Sequence, residues 1–202
     1  PVNFPEIRIK KTEVVMAKLR EEFSKGISPS ALATYVYNPI AFYEQKILGI
    51  RDLNEVEETV ALNTMGTIMH DVLDEMYKPH IGVFLREEDI LAMIGIMKIL
   101  LLKYFKKHYK EGNIETGKNK LIFEVSKNYI HRFLKQELKL LQEGRKLKIL
   151  ATEEKLIADL YVDGVDFPIK LKGIVDRIDE LDGIVRIIDY KTGKVDRSQL
   201  KV

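Results

Sequence analysis

The stretch GIVDRIDELDGIVRIIDYK, residues 173–191, contains the signals that determine the predicted strand pairing of this chain. Two runs rich in β-branched residues flank Asp182-Gly183, a dipeptide that favours a two-residue hairpin turn. A turn of that length places Asp179 opposite Arg186, which is a favourable cross-strand charge pair. The stretch therefore predicts an antiparallel hairpin with a defined register.

The same register brings two acids, Asp176 and Asp189, face to face. Facing carboxylates repel, and Ile178 and Ile187 share their face, so the pair is expected to need a shared proton or a cation. Mg²⁺ suits this position because it prefers one or two carboxylates. Lys191 follows on the same face, where a lysine can orient an attacking water or neutralise a phosphoryl oxygen. This arrangement favours phosphodiester cleavage over a surface salt-bridge cluster.

Helical periodicity changes to strand periodicity near Lys146. Two predicted helices begin at Pro29 and Pro39, and the second of them runs to about Leu48. Three further predicted helices span about 64–77, 87–109 and 118–143. The predicted strands span about 148–161, 167–180 and 184–190, with Asp163-Gly164 as a second two-residue hairpin turn. The pattern predicts an α/β (α+β-like) layered domain over residues 1–202, with a mainly helical part at 1–145 and a β-meander at 146–202.

Glu153 on the first predicted strand is a further catalytic candidate. The Asp163-Gly164 hairpin places it on the Asp176 face. However, the apolar side of the middle strand switches near Gly173, which indicates a bulge that could exchange Glu153 for Glu154. A solvated glutamate pair is an equal alternative. Tyr190 points away from the acids by alternation and is interpreted as a packing residue.

Composition excludes several classes of protein. The chain has 202 residues and no cysteine, which excludes disulfides and thiolate-held metals within it. No apolar run approaches the ~18 residues of a membrane span. No signal peptide is visible, so we expect a cytoplasmic location and no membrane partner. Because the chain begins with Pro1 and its last residues look cut off within an element, we expect a fragment of a longer protein.

The net charge of +2 hides an uneven distribution. Residues 52–90 carry ten acidic and two basic side chains, whereas residues 98–148 carry fourteen basic and five acidic ones. The basic stretch could follow a polyanion such as DNA, but a solvated helical face explains it equally well. The candidate nucleic-acid contacts are Lys103, Lys106 and Lys107 in this stretch and Thr192 after the last strand.

Four segments together resemble the PD-(D/E)XK nucleases of the RecB and AddB type. GIVDRID (173–179) and IDYKTG (188–193) are similar to the active-site pair of that group, and GTIMH (66–70) resembles its Gly-x-x-x-His helix. SPSAL (28–32), followed by Tyr35, Pro39 and Phe42, resembles its first motif. The resemblance implies a restriction-endonuclease-like core, in which helices flank a mixed β-sheet, with a large N-terminal helical elaboration.

The resemblance also implies roles for individual residues. Asp176 and Asp189 would hold Mg²⁺ or Mn²⁺, Lys191 would assist the nucleophilic water, and His70 would be an additional metal ligand. From the residues alone, His70 is more readily an ordinary helix histidine paired with Asp74 one turn on.

One departure from the family pattern affects the expected cofactor. Several members carry a cysteine ligand of an iron–sulfur cluster where this chain has Asn38, so we expect no iron–sulfur cluster. The Gln-x-x-x-Tyr helix that members carry after the lysine motif is also missing from this sequence.

The implied function is a metal-dependent DNA exonuclease that acts on single strands or duplex ends with a helicase subunit or domain, in DNA repair and recombination. The alternative is a catalytically silent DNA-binding or scaffolding module of such a complex, and retention of the acids, the lysine and the histidine argues against it.

Overall fold

The structure is a computed structural model that describes residues 8–50, 62–109 and 116–192. The helices are α1 (Glu13–Lys25), α2 (Pro29–Tyr37), α3 (Pro39–Phe42) with a π-helical turn after it (Tyr43–Ile47), α4 (Leu62–Tyr77) with a 3-10 turn after it (Lys78–His80), α5 (Glu87–His108) and α6 (Gly117–Gln142). The strands are β1 (Leu147–Leu160), β2 (Ile169–Leu181) and β3 (Ile184–Ile188), which form a sheet in the order β1-β2-β3. The predicted α/β class is confirmed, and the change from helix to strand falls near Lys146 as expected.

The chain divides into two compact units. The first comprises Pro1–Asn54 and Lys155–Gly173, and the second comprises Glu55–Glu154 and Ile174–Val202. Residues of β1 and of β2 therefore fall in both units. The predicted single domain over residues 1–202 stays a prediction.

Two helices of the first unit begin at the caps that the sequence predicts. Ser28 Oγ accepts a hydrogen bond from the amide of Ala31, and Asn38 Oδ1 accepts one from the amide of Ala41. A proline follows each cap, and its fixed φ suits the first helical position. The core of this unit consists of Ile27, Ala31 and Phe42, with Leu19, Phe23, Leu32, Ile169 and Leu171 packed against it.

The second unit is built on α4, α5 and α6, which pack against each other. Phe105 of α5 meets Phe123 of α6 edge to face, with ring centroids 5.2 Å apart. Burying each large apolar side chain contributes about 1.5–3 kcal/mol, so the apolar face of α4 anchors that helix firmly. The buried apolar residues of α4 are Met65, Ile68, Met69, Val72, Leu73, Met76 and Tyr77.

Among the described residues, no helix is both long and apolar enough to cross a membrane.

The hairpin of β2 and β3 has the register that the sequence predicts. Asp182 and Gly183 have φ values of 52° and 86°, as a tight turn with two left-handed residues requires. Asp179 lies opposite Arg186, whose Nε is 2.8 Å from Asp179 Oδ1. The predicted charge pair is confirmed. The ladder ends with Arg177 opposite Ile188, so the facing of Asp176 and Asp189 stays a prediction.

The connection between β1 and β2 corrects one prediction. Asp163 and Gly164 do form a turn, closed by a 3.1 Å hydrogen bond from the amide of Val165 to the carbonyl of Val162. However, the strands end at Leu160 and resume only at Ile169, so the two-residue hairpin is wrong. Pro168 precedes β2, and because proline has no N–H it cannot extend the ladder towards the turn.

The backbone irregularity near the acids lies on β1. β2 runs unbroken through Gly173, where the sequence indicates a bulge. Glu153 of β1 instead has a φ of 47°, in the left-handed region that costs a non-glycine residue free energy. Strand alternation therefore fails at Glu153 itself.

The two faces of the hairpin also differ from expectation. Ile178 is only half-buried and Ile187 is 68% exposed, so the two isoleucines that are predicted to share the face of Asp176 give it little apolar cover. Arg177 and Asp179 on the opposite face are 1% and 0% exposed. These charged side chains can be buried because they pair with each other, which leaves the isoleucine face outside.

Candidate metal centre

Three side chains from three elements of the second unit converge on one point. His70 comes from α4, Glu153 from β1 and Asp176 from β2, and their ligand atoms all lie within 4.8 Å of one another. His70 Nδ1 is 3.3 Å from Asp176 Oδ1 and 3.7 Å from Glu153 Oε1. Sequence reasoning names all three residues as site candidates, and the structure brings them together.

Each element presents its side chain for a local reason. His70 lies at the edge of the buried face of α4, so the packing of that face fixes its position. The left-handed backbone at Glu153 accompanies a side chain that reaches His70, whereas Glu154 is exposed. Asp176 is almost fully buried. The strain at Glu153 suggests a functional position, because such conformations persist where the surroundings hold them in place.

The main chain of Tyr190 joins two of the three groups. Its N–H donates to Asp176 Oδ2 at 2.5 Å, and its carbonyl oxygen accepts from His70 Nε2 at 3.1 Å. A neutral histidine that donates through Nε2 carries its lone pair on Nδ1. In its neutral form the imidazole therefore presents an acceptor atom towards both carboxylates, as a metal ligand must, whereas the protonated ring donates from Nδ1 to Asp176.

The electrostatics of the three groups are coupled. The hydrogen bond with Asp176 raises the pKa of His70, although burial opposes that shift. Burial works to raise the pKa of Asp176, but hydrogen bonds from His70 and the Tyr190 amide outweigh it and leave that pKa below its usual value. Burial and the charge of Asp176 raise the pKa of Glu153. Two neighbouring carboxylates with one cationic neighbour are a site that a divalent cation would stabilise further.

We expect the affinity for metal to rise with pH and the stability that His70 gives the metal-free fold to fall with pH. Because the folded pKa of His70 is raised above its ordinary 6.5, its pairing stabilises the metal-free fold below that value. The contribution is lost as the pH rises through the folded pKa. Metal needs the neutral ring, so apparent affinity should fall about tenfold per pH unit once the ring is protonated. Thermal unfolding with and without Mn²⁺ at a series of pH values measures both the stability of the metal-free fold and the affinity for Mn²⁺. In His70→Asn the opposite pH dependences of these two quantities should disappear. If both quantities changed with pH in the same direction in the unchanged chain, this prediction would be contradicted.

Asp189 and Lys191 lie together beside this group. β3 ends at Ile188, and Lys191 Nζ lies 2.8 Å from Asp189 Oδ2. The hydrogen bond that Lys191 donates to Asp189 raises the pKa of Lys191, so the lysine is an ammonium ion at neutral pH. Within the described residues, the group of ligand atoms within 4.8 Å consists of His70, Glu153 and Asp176 and does not include Asp189.

The lysines that the sequence singles out for DNA contact have acidic neighbours. Lys103 Nζ lies 2.6 Å from Glu75 Oε2, and Lys107 Nζ lies 3.0 Å from Asp71 Oδ2, with both acids on α4. Lys106 is exposed. A phosphate that bound Lys103 or Lys107 would have to compete with these carboxylates.

Thr192 packs close to the helix that carries His70. A Cβ on Gly66 would lie 3.4 Å from Thr192 Oγ1, so the small residue allows a close approach of the chain after β3 to α4. Gly193, which completes the IDYKTG motif, lies outside the described residues.

A buried ionic network behind the centre is absent from the sequence predictions. Arg177 Nη2 lies 2.6 Å from Glu137 Oε1 of α6 and 2.8 Å from Asp179 Oδ2. The Tyr77 hydroxyl also donates to Glu137, and the Arg177 guanidinium lies 4.6 Å from the Tyr77 ring centroid. Burial works to lower the pKa of Arg177, but Glu137 and its other neighbours outweigh burial and raise it.

The donor set of the centre fits a divalent cation. Two ligand atoms at right angles on Mg²⁺ lie about 3 Å apart, because each bond is about 2.0–2.1 Å long. The 3.3 and 3.7 Å separations around His70 Nδ1 are close to that spacing. Carboxylate oxygens suit Mg²⁺ and Mn²⁺, and neutral imidazole is the commonest protein ligand of transition metals.

Comparison with known proteins gives a family. The sequence model of the PD-(D/E)XK nuclease superfamily matches residues 26–201 of this chain. The matched range contains His70, Glu153, Asp176, Asp189 and Lys191. No solved structure matches the chain.

Curated relatives extend well beyond the matched segment. An uncharacterized protein of Rickettsia conorii is 26% identical over 182 residues, which cover 86% of this chain and 20% of that protein. An ATP-dependent helicase/deoxyribonuclease subunit of Streptococcus agalactiae is 25% identical over 182 residues, which cover 90% of this chain and 15% of that relative. The chain thus spans a fifth or less of the length of these relatives.

Proposed function

This chain belongs to the PD-(D/E)XK nuclease superfamily, and from that premise we propose that it carries the active site of a metal-dependent deoxyribonuclease. The observation that supports the proposal most directly is the convergence of His70, Glu153 and Asp176. One imidazole and two carboxylates at this spacing are a ligand set without an evident structural purpose, because they leave like charges close together.

His70 Nδ1, Glu153 and Asp176 would hold Mg²⁺ or Mn²⁺, and Asp189 is the candidate for a further ligand. A bound ion would supply Lewis-acid stabilisation of phosphoryl charge and lower the pKa of a water molecule. The protein's own contribution is orientation. His70 is held from behind by the Tyr190 carbonyl, which aims Nδ1 at the acids.

Lys191 would act as a cation and not as a base. Its pKa is raised, so it keeps its proton at neutral pH and can donate to an attacking water or to a phosphoryl oxygen. Asp189 lies within hydrogen-bonding distance of Lys191 and steadies the ammonium group. In this arrangement the lysine offsets negative charge that develops on phosphate during cleavage.

Lys191→Ala is expected to reduce DNA cleavage by roughly 10²–10³-fold, because a donor aimed at developing charge is lost. Mn²⁺ affinity should stay within a factor of a few, because Lys191 supplies no ligand atom. Cleavage of end-labelled single-stranded and duplex DNA, together with Mn²⁺ titration, measures both quantities. Lys135→Ala, which removes an exposed lysine of α6, is the matched control. Unchanged cleavage in Lys191→Ala would remove the lysine from the mechanism.

The wider setting of the activity is part of the proposal. The similarity to helicase/deoxyribonuclease subunits supports an exonuclease that works beside a cytoplasmic helicase in DNA repair and recombination. Linear DNA should then be degraded while closed circular single strands resist. Lys103, Lys106, Lys107 and Thr192 are the proposed contacts to the DNA backbone, and the first three should make binding weaker as salt rises.

A further inference from the structure

Tyr190 lies behind the three ligand groups and contributes no ligand atom itself. Its main chain nevertheless bonds to both His70 and Asp176. β3 ends two residues earlier, at Ile188, so the ladder of β2 and β3 does not hold the main chain of Tyr190 in place. Something else must fix this part of the main chain if the two bonds are to orient their side chains.

The ring of Tyr190 provides that fixation. It packs against the core of the second unit, where its centroid lies 5.5 Å from that of Phe133 at an interplanar angle of 81°. On its other side it meets the His70 ring edge to face, with centroids 5.7 Å apart. The ring is therefore held between α6 and the histidine that its own carbonyl orients.

The hydroxyl of Tyr190 has no part in this anchoring. Among the described residues, Tyr190 Oη is buried and has no hydrogen-bond partner. A buried hydroxyl that made a required hydrogen bond would tie the function to tyrosine, whereas this one leaves phenylalanine equally suitable.

We propose that Tyr190 is the positioning residue of the metal centre: its partly buried ring fixes the main-chain carbonyl that sets the tautomer of His70 and the main-chain N–H that orients Asp176. This inference rests on the proposed function of the same site. Groups that orient metal ligands from behind typically change metal affinity about 10–100-fold when removed. Loss of the ring keeps both main-chain bonding groups but frees them to move.

The test compares Tyr190→Ala and Tyr190→Phe with Phe105→Ala, which removes a fully buried ring elsewhere in the same core. Mn²⁺ affinity is expected to fall about 10–100-fold in Tyr190→Ala and to stay unchanged in Tyr190→Phe and Phe105→Ala. If Tyr190→Ala does not fold, Tyr190→Leu keeps an apolar side chain without a ring and replaces it.

A second measurement needs no metal. Nitrogen NMR of the His70 ring at alkaline pH should show one Nε2-protonated tautomer in the unchanged chain and in Tyr190→Phe, and a mixture in Tyr190→Ala. Unchanged affinity and tautomer in Tyr190→Ala would overturn the proposal, as would an equal loss of affinity in Phe105→Ala. If the unchanged chain bound no Mn²⁺, the proposed function would fail, and the tautomer comparison would still decide the role of Tyr190.

Discussion

Asp176→Asn is expected to reduce DNA cleavage roughly a thousandfold or more, because it removes a charged ligand from the centre of the proposed metal site. The fold should survive the change. Asparagine has the same shape, its Oδ1 can accept from the Tyr190 amide, and its Nδ2 can donate to the lone pair of His70 Nδ1. The variant therefore removes the negative charge of Asp176 while it keeps the hydrogen bonds of that side chain.

Metal binding gives a second readout for the same variant. An ion that binds only the folded state stabilises it by about 2.7 kcal/mol when present at one hundred times its Kd. Asp176→Asn should lose most of the Mn²⁺-induced rise in Tm that the unchanged chain shows. Asp163→Asn is the matched control, because Asn-Gly is as favourable as Asp-Gly in a turn. Full Mn²⁺ stabilisation in Asp176→Asn would contradict the proposed ligand set.

The same experiment tests Asp189. In the structure this acid is paired with Lys191 and stands outside the group of three. If Asp189→Asn weakens Mn²⁺ binding as strongly as Asp176→Asn, then Asp189 is a ligand, as the family resemblance implies. A loss of cleavage with unchanged binding would instead assign it to the positioning of Lys191.

The hairpin was the most predictable part of the site because its determinants are local. Asp182-Gly183 fixes the turn, the turn fixes the register, and the register places Asp179 beside Arg186. Helix starts were predictable for the same reason, since Ser28 and Asn38 act within three residues of themselves.

The backbone conformation of Glu153 could not be predicted, because no local pattern encodes it. Sequence reasoning names His70 and Glu153 as site candidates, but glutamate carries no local signal for the left-handed conformation found at Glu153. The burial of Arg177 and Asp179 could not be predicted, because hydrophobic alternation assumes that isoleucine is buried before arginine. Arg177 is buried nevertheless, because it donates a hydrogen bond to Glu137, which lies forty positions away in the sequence.

One signal in the sequence does indicate this network. Glu137 occurs on the apolar stripe of α6, within one turn of Leu134 and Leu138, which are both buried. A lone acid on such a stripe needs a cationic partner, because burying an unpaired charge is costly. The sequence could therefore have predicted that an arginine or lysine turns inward opposite α6.

Arg177→Met is expected to destabilise the protein by about 3–5 kcal/mol, because it leaves Glu137 as a buried charge without its cation. Typical domains are stable by about 5–15 kcal/mol, so the variant should approach the limit of folding. The network is electrically balanced, since Arg177 and Arg186 face Glu137 and Asp179. Removing either member of the Arg177–Glu137 pair alone breaks that balance.

The double variant Arg177→Met/Glu137→Leu restores the balance and should be more stable than Arg177→Met alone. It still costs about 1–3 kcal/mol, because the buried Tyr77 hydroxyl loses its acceptor. Urea unfolding of both single variants and the double variant measures the coupling between the two charges. Lys103→Met is the control, because its pair with Glu75 is largely exposed and contributes about 0–1 kcal/mol. If Arg177→Met were no more destabilising than this control, the network would not stabilise the packing of β2 against the helices.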